Sequence, residues 1–105
     1  MYLFFDTETT GVPSNYKARI SDIENWPRMV QLGYVVVDEN THEIIHENEV
    51  IVKPNYFDIP VQASNIHGVT TEKALADGTY IIDVLDEFET WVNKCDVVVG
   101  HNVSF

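Results

Sequence analysis

Positive charge is what this sequence has least of. Six lysines and arginines stand against seventeen aspartates and glutamates, giving a formal net charge of −11. A protein that grips phosphates broadly with Lys and Arg is basic, so general electrostatic attachment to nucleic acid is disfavoured, and binding bridged by divalent cations is not. Cysteine is almost absent: Cys95 stands alone and has no partner within the chain for a disulfide, which fits a reducing compartment. It reads as a small apolar residue near a helix end. No apolar stretch approaches the eighteen or so residues of a membrane span. The run 2–5 has no basic flank and is cut off by Asp6, so no signal peptide is expected either. A cytoplasmic location is the expectation. Repeats, low-complexity tracts and interdomain linkers are also missing, and 105 residues suit one small domain.

What remains is ample for a core: 45% of the residues are hydrophobic and 11% aromatic. Residues 2–5 (YLFF) read as a short buried strand that ends at Asp6. Gly11-Val12-Pro13-Ser14-Asn15 is turn chemistry, and a polar surface excursion follows to Glu24. Residues 29–37 (MVQLGYVVV) read as a central strand buried on both faces. Residues 43–53 alternate partially and read as its antiparallel partner, nearer the sheet edge. Short helices are expected at 61–65 and at 71–76, the second capped by Thr70. The spacing of Ile81, Val84, Leu85, Phe88, Trp91 and Val92 predicts an amphipathic helix over 80–93 with Thr79 as cap. A strand at 96–100 closes the pattern.

The fold class is therefore α/β, a mixed sheet with an antiparallel β-hairpin and a helical crossover. A crossover of this kind returns the chain parallel to a strand already present. If that strand is the first, Asp6-Thr7-Glu8 and Gly100-His101-Asn102 emerge at one sheet edge, where ligands of open α/β sheets bind.

Asp6 and Glu8 are two residues apart, so extended backbone places both on one face. Two adjacent carboxylates repel unless a cation lies between them, and hard oxygen donors suit Mg²⁺ or Mn²⁺. A capping Asp beside a solvated Glu is the plainer alternative. Thr9-Thr10-Gly11 follows, and Gly11 has no side chain to keep a substrate away from the backbone.

Phe4-Phe5-Asp6-Thr7-Glu8-Thr9-Thr10-Gly11 resembles the first motif of the DnaQ-like (DEDD) 3′–5′ exonucleases, the family of proofreading subunits such as DNA polymerase III epsilon. Three further pieces resemble that family in order: Val30-Gln31-Leu32-Gly33, Ile66-His67-Gly68-Val69-Thr70, and Val99-Gly100-His101-Asn102-Val103-Ser104-Phe105. The resemblance implies an RNase H-like exonuclease fold. It also implies hydrolysis of phosphodiesters at a DNA or RNA 3′ end by two divalent ions, Mg²⁺ or Mn²⁺, roughly 4 Å apart. Asp6 would contact both ions and Glu8 one. Thr7, Thr9, Thr10 and Gly11 would hold the terminal nucleotide, with His67, Asn102 and Phe105 shaping the same pocket. Polymerase subunits are implied as partners, and no membrane.

The family's second motif continues H-N-x-x-F-D, and a third motif supplies a base and another Asp. Neither of those later acids is present up to Phe105, so residues 1–105 are expected to be the N-terminal portion of one exonuclease domain, truncated on its C-terminal side. An incomplete sheet is also expected to self-associate.

Other residues read more plainly. His67 suits a structural or substrate-lining role; His42 and His46 read as exposed histidines; the resemblance implies that His101 orients its loop and does not bind metal; Trp26 and Trp91 read as packing residues. Two rival readings are a haloacid-dehalogenase-type phosphatase with Asp6 as nucleophile, and a non-catalytic exonuclease-like binding module. The phosphatase class usually places Asp where Glu8 stands, and the hairpin and His101-Asn102 fit it poorly. With two of four carboxylates and no base, the 105-residue chain alone is expected to hold metal weakly or not at all, and to release few or no mononucleotides from a 3′-labelled single strand in Mn²⁺. Rapid metal-dependent release would contradict this.

Overall fold

The computed structural model describes residues 1–101. Its elements are β1 (Tyr2–Thr9), β2 (Met29–Val37), β3 (Ile44–Ile51), α1 (Val61–His67), α2 (Thr71–Asp77), α3 (Ile81–Val92) and β4 (Val97–Gly100). The sheet order is β3-β2-β1-β4. The β1/β2 and β2/β3 pairs are antiparallel, and β4 returns parallel to β1 after the helical crossover. The mixed α/β sheet, the hairpin with β3 outermost and the parallel return all agree with the pattern read from the sequence.

Alternation decides which residues enter the core. Leu3, Val30, Leu32, Tyr34 and Val36 are buried on the face covered by the helices. Phe88 of α3 meets the rings of Phe5 and Tyr34 edge-on, with centroids 5.7 and 5.2 Å apart. A second cluster joins Val30 to Ile59, Ala63, Val69 and Ala74, seating α1 and α2 near the start of β2. The other face of β2 is only half covered, at Gln31, Gly33, Val35 and Val37. Burial on both faces is thus corrected: the crossover helices cover one side. For the same reason Phe4 of β1 is 43% exposed, although 2–5 reads as a buried strand.

β1 also runs further than expected. It continues through Asp6 and Glu8 to Thr9 because β2 is long enough to pair with it throughout. The acids therefore stand on a hydrogen-bonded strand and not in the loop after one.

The turn between β2 and β3 is held by Asp38, whose carboxylate accepts the backbone N–H groups of Asn40 and Thr41 at 2.8 and 2.9 Å. These two bonds hold the carboxyl pKa below its ordinary value. His42, exposed as expected, takes a positive φ of 61° in this turn. His46 departs from expectation. It stacks on Trp91 at 4.3 Å, and its Nε2 lies 3.7 Å from a Glu87 carboxylate oxygen, so α3 shields it.

Helix boundaries follow local chemistry. Thr70 caps α2 as expected, its hydroxyl accepting the Lys73 N–H at 3.2 Å. Gly68 ends α1 in the left-handed region at φ 78°, which glycine adopts without the clash a Cβ brings. The residue before α3 is Tyr80, without a side-chain cap, because Thr79 is drawn away: its N–H bonds Ile51 O at 2.8 Å and its carbonyl accepts from Lys53 at 2.9 Å. Thr79 thus extends the sheet where a cap was expected. Leu85 is 43% exposed, since the α3 contact surface centres on Val84, Phe88 and Trp91. Cys95 packs against the core, and burial pushes its thiol pKa up.

Leu32 is fully enclosed and Val35 lies on the half-open face. Leu32→Ala should cost about 2–5 kcal/mol by lost transfer energy and cavity formation. Val35→Ala should cost about 1 kcal/mol or less. Urea denaturation of the two variants checks the difference.

Candidate nuclease site

Three cross-strand rows build one open face of the sheet. Phe4 pairs with Val35 and Val35 with Glu47; Asp6 pairs with Gly33 and Gly33 with Glu49; Glu8 pairs with Gln31 and Gln31 with Ile51. Paired residues share a face, so Asp6 and Glu8 stand side by side, roughly 7 Å apart along the strand. An open cleft of about 760 Å³ lies over these rows, bounded by Asp6, Glu8, Gln31, Gly33, Glu47 and Glu49.

Gly33 is what keeps the middle row open. A Cβ built there meets nothing within 4 Å, so the bare backbone forms a floor between Asp6 and Glu49. Those two acids are about two strand spacings apart, roughly 10 Å. Glu49 is not idle, since its carboxylate accepts the Gln31 side-chain amide at 2.5 Å. The Asp6 carboxylate accepts the Thr7 backbone N–H at 3.0 Å. The parallel partner β4 reaches only as far as Phe5, paired with Gly100, which leaves β1 beyond that point joined to β2 alone among the described residues.

Past Glu8 the register slips by one residue against β2. Such a bulge bends a strand and re-aims its side chains, and it is common beside active sites. Thr9 then turns the chain: its hydroxyl donates to Gly11 O at 2.7 Å. Thr10 is stapled to Arg28 by two bonds, Thr10 N to Arg28 O at 3.0 Å and Arg28 N to Thr10 Oγ1 at 2.9 Å. The Thr9-Thr10-Gly11 segment is thereby fixed at the mouth of the cleft.

The structure brings Asp6, Thr7 and Glu8 together with Gly100, as the topology predicts, and exposed His101 follows directly. Asn102 and Phe105 lie outside the described residues. His67 sits in the α1–α2 turn, its Nδ1 accepting the Val69 N–H at 3.1 Å and its Nε2 buried without a hydrogen-bond partner among the described residues. The Ile66–Thr70 stretch thus joins two helices through a left-handed glycine, a buried valine and a cap. Sequence reasoning does not name Glu47, Glu49 or Gly33 as site residues, although Gly33 closes the Val30-Gln31-Leu32-Gly33 motif. Only the hairpin register sets them opposite Asp6, and the alternation of residues 43–53 was the one signal of it.

Asp6 and Glu8 offer hard, exposed-face oxygens that suit Mg²⁺ or Mn²⁺. Among the described residues, no group of three or more His, Cys, Asp or Glu is placed to hold a metal ion, so the pair is an incomplete ligand set by itself. Gly33→Val is expected to leave the fold intact or slightly more stable, because the space is free and valine suits a strand. The same variant fills the cleft floor, so any ligand that the cleft takes should be lost. Thermal unfolding and fluorescence anisotropy, measured together, check both halves.

A protein-family model described as RNase_T, exonuclease, matches residues 3–105. The PolC-type DNA polymerase III of Bacillus subtilis (strain 168) is 31% identical over 106 residues, covering 99% of this chain and 6% of that protein. The PolC-type DNA polymerase III of Staphylococcus aureus (strain bovine RF122 / ET3-1) is 32% identical over 108 residues, with the same coverage of 99% and 6%. The chain spans about 6% of the length of these curated relatives. Among solved structures, exonuclease X in complex with 5′ overhanging duplex DNA superposes with a TM-score of 0.68 at 27% identity, covering 100% of this chain and 51% of that one. E. coli exonuclease I in complex with a dT13 oligonucleotide gives a TM-score of 0.73 at 20% identity, over 96% of this chain and 20% of that one, a likeness of fold alone. The family match over nearly every residue and the RNase H-like sheet with its acid-bearing first strand agree: the chain belongs to the DnaQ-like exonuclease family.

Proposed function

We propose that this chain supplies the first metal-binding strand of a 3′–5′ exonuclease, one that hydrolyses phosphodiester bonds at DNA or RNA 3′ ends with two divalent ions. The observation that supports it is the placement of Asp6 and Glu8 on the open sheet face, over the bare floor of Gly33 and at the end where β4 delivers Gly100. Asp6 would contact both ions and Glu8 one. When bound, the ions supply positive charge against the charge that builds on a phosphodiester under attack.

The chain's own residues do the positioning. The Thr9–Gly11 turn, fixed by the Thr10–Arg28 staple, lets a terminal nucleotide approach backbone that carries no bulky side chain. The family resemblance would add His67, Asn102 and Phe105 to the same subsite, and Thr7 through its backbone, since its side chain alternates to the face opposite Asp6 and Glu8. A proofreading role and a cytoplasmic location belong to this reading; the DNA polymerase III names of the relatives support its association with a polymerase. The oligonucleotide-bound exonuclease I supports nucleic acid as ligand. No observation favours the phosphatase alternative, in which Asp6 is a nucleophile.

Binding tests this without requiring turnover. In millimolar Mn²⁺, high enough to load an incomplete ligand set, the chain should bind a linear single-stranded oligonucleotide in a Mn²⁺-dependent way, and should bind a circle of the same length or a strand with a blocked 3′ end at least about tenfold more weakly. Asp6→Asn and Glu8→Gln should each remove the Mn²⁺ dependence while leaving thermal unfolding unchanged. Equal affinity for circle and line would overturn the 3′-end reading, and retained Mn²⁺ dependence in both variants would overturn the metal assignment.

A further inference from the structure

The scarce positive charge is not spread evenly. Lys17, Arg19 and Arg28, three of the six basic residues, fall in the single segment 11–28, where only Asp22 and Glu24 oppose them. The other 87 residues carry three bases against fifteen acids. The segment is thus a net-positive island in a chain of formal charge −11.

Its place in the fold matters as much as its charge. It leaves β1 directly after the bulge that follows Glu8 and returns to β2 through the Thr10–Arg28 staple, so it rises from the mouth of the cleft. It has no regular secondary structure, yet it is clasped. The Asn25 side chain accepts the Asn15 N–H at 2.8 Å and donates to Asn15 O at 2.9 Å. The Trp26 indole N–H donates to Arg19 O at 2.9 Å, which fixes the backbone that carries the Arg19 side chain. The Trp26 ring is therefore a structural brace, in line with its reading as a packing residue.

The cations differ in availability. Lys53 and Lys94 lie over the rings of Tyr80 and Trp91, and Arg28 lies 5.8 Å from the Phe57 centroid. Lys17 and Arg19 are exposed. The ion pairs among the described residues belong to the Met1 amine and His46, so no carboxylate there neutralises either of them. Beside them Ile20 is 91% and Ile23 66% exposed, apolar surface that an unpaired base could cover.

We infer that segment 11–28 is a strand-guiding arm: Lys17 and Arg19 hold the phosphates of a single-stranded nucleic acid upstream of the nucleotide seated in the cleft. The inference rests on the proposed exonuclease function and adds the site that tracks the rest of the strand. An acidic body with a basic arm at its cleft mouth repels nucleic acid everywhere except along the productive path.

The test is anisotropy with a fluorescent oligothymidylate of about a dozen nucleotides and with a dinucleotide, across a salt series in Mn²⁺. Lys17→Ala with Arg19→Ala should weaken binding of the long strand and reduce the magnitude of the salt slope by about 1.4, two phosphate contacts at ~0.7 each. Dinucleotide binding should be unchanged. The charge-conserving pair Lys17→Arg with Arg19→Lys should keep the long-strand affinity, and Asp22→Asn with Glu24→Gln should raise it. If wild type binds the long strand and the alanine pair matches its affinity and slope, the arm's role is overturned and the exonuclease reading stands. If wild type binds neither ligand in Mn²⁺, the exonuclease reading falls and takes the arm's role with it. Equal competition by polyglutamate would overturn the assignment to nucleic acid.

Discussion

The two-residue period of β1 ties the core to the chemistry. Leu3 and Phe5 point to the helix-covered face, and Phe4, Asp6 and Glu8 therefore point to the other. A slip of one residue would drive both carboxylates into the apolar layer around Leu32, Tyr34 and Val84, where an unpaired charge is very costly. Burial of Leu3 and exposure of the acid pair are thus one constraint seen from two sides. The antiparallel bond ladder to β2 enforces it, and the parallel return of β4 brings Gly100 alongside.

Charge is organised by the same geometry. The face that carries Asp6 and Glu8 also carries Glu47 and Glu49, with Gly33 leaving the floor between them bare. Such a surface repels an anionic ligand until cations intervene, so under the proposed function binding of nucleic acid would depend on metal. The segment 11–28 breaks the pattern, and it does so beside the cleft. Its clasps of Asn15 with Asn25 and Trp26 with Arg19 add side-chain bonds to local backbone turns, and together they hold an irregular stretch in place.

Much of this was legible in local chemistry. The apolar run 29–37, the hydrophobic spacing of 81–92 and the Thr70 cap each name their element, because propensity and periodicity act over a few residues. The misreadings have a common origin in long-range contacts. Thr79 looks like a cap until Ile51 and Lys53 claim its backbone. His46 looks exposed until α3 lays Trp91 across it. The length of β1 looks like four residues until β2 pairs with eight.

The sequence by itself determined the element order, the shared face of Asp6 and Glu8 and the family to which the motifs belong. The first two follow from neighbours within a strand or a helix turn, and the family from the order of four short motifs along the chain. Tertiary structure alone decided which face of β2 the helices cover, and which acids of β3 stand opposite Asp6 across Gly33. It also decided that the basic segment 11–28 springs from the cleft mouth. These are matters of strand register and helix placement, set by contacts between residues well separated in the chain, and no local pattern encodes them.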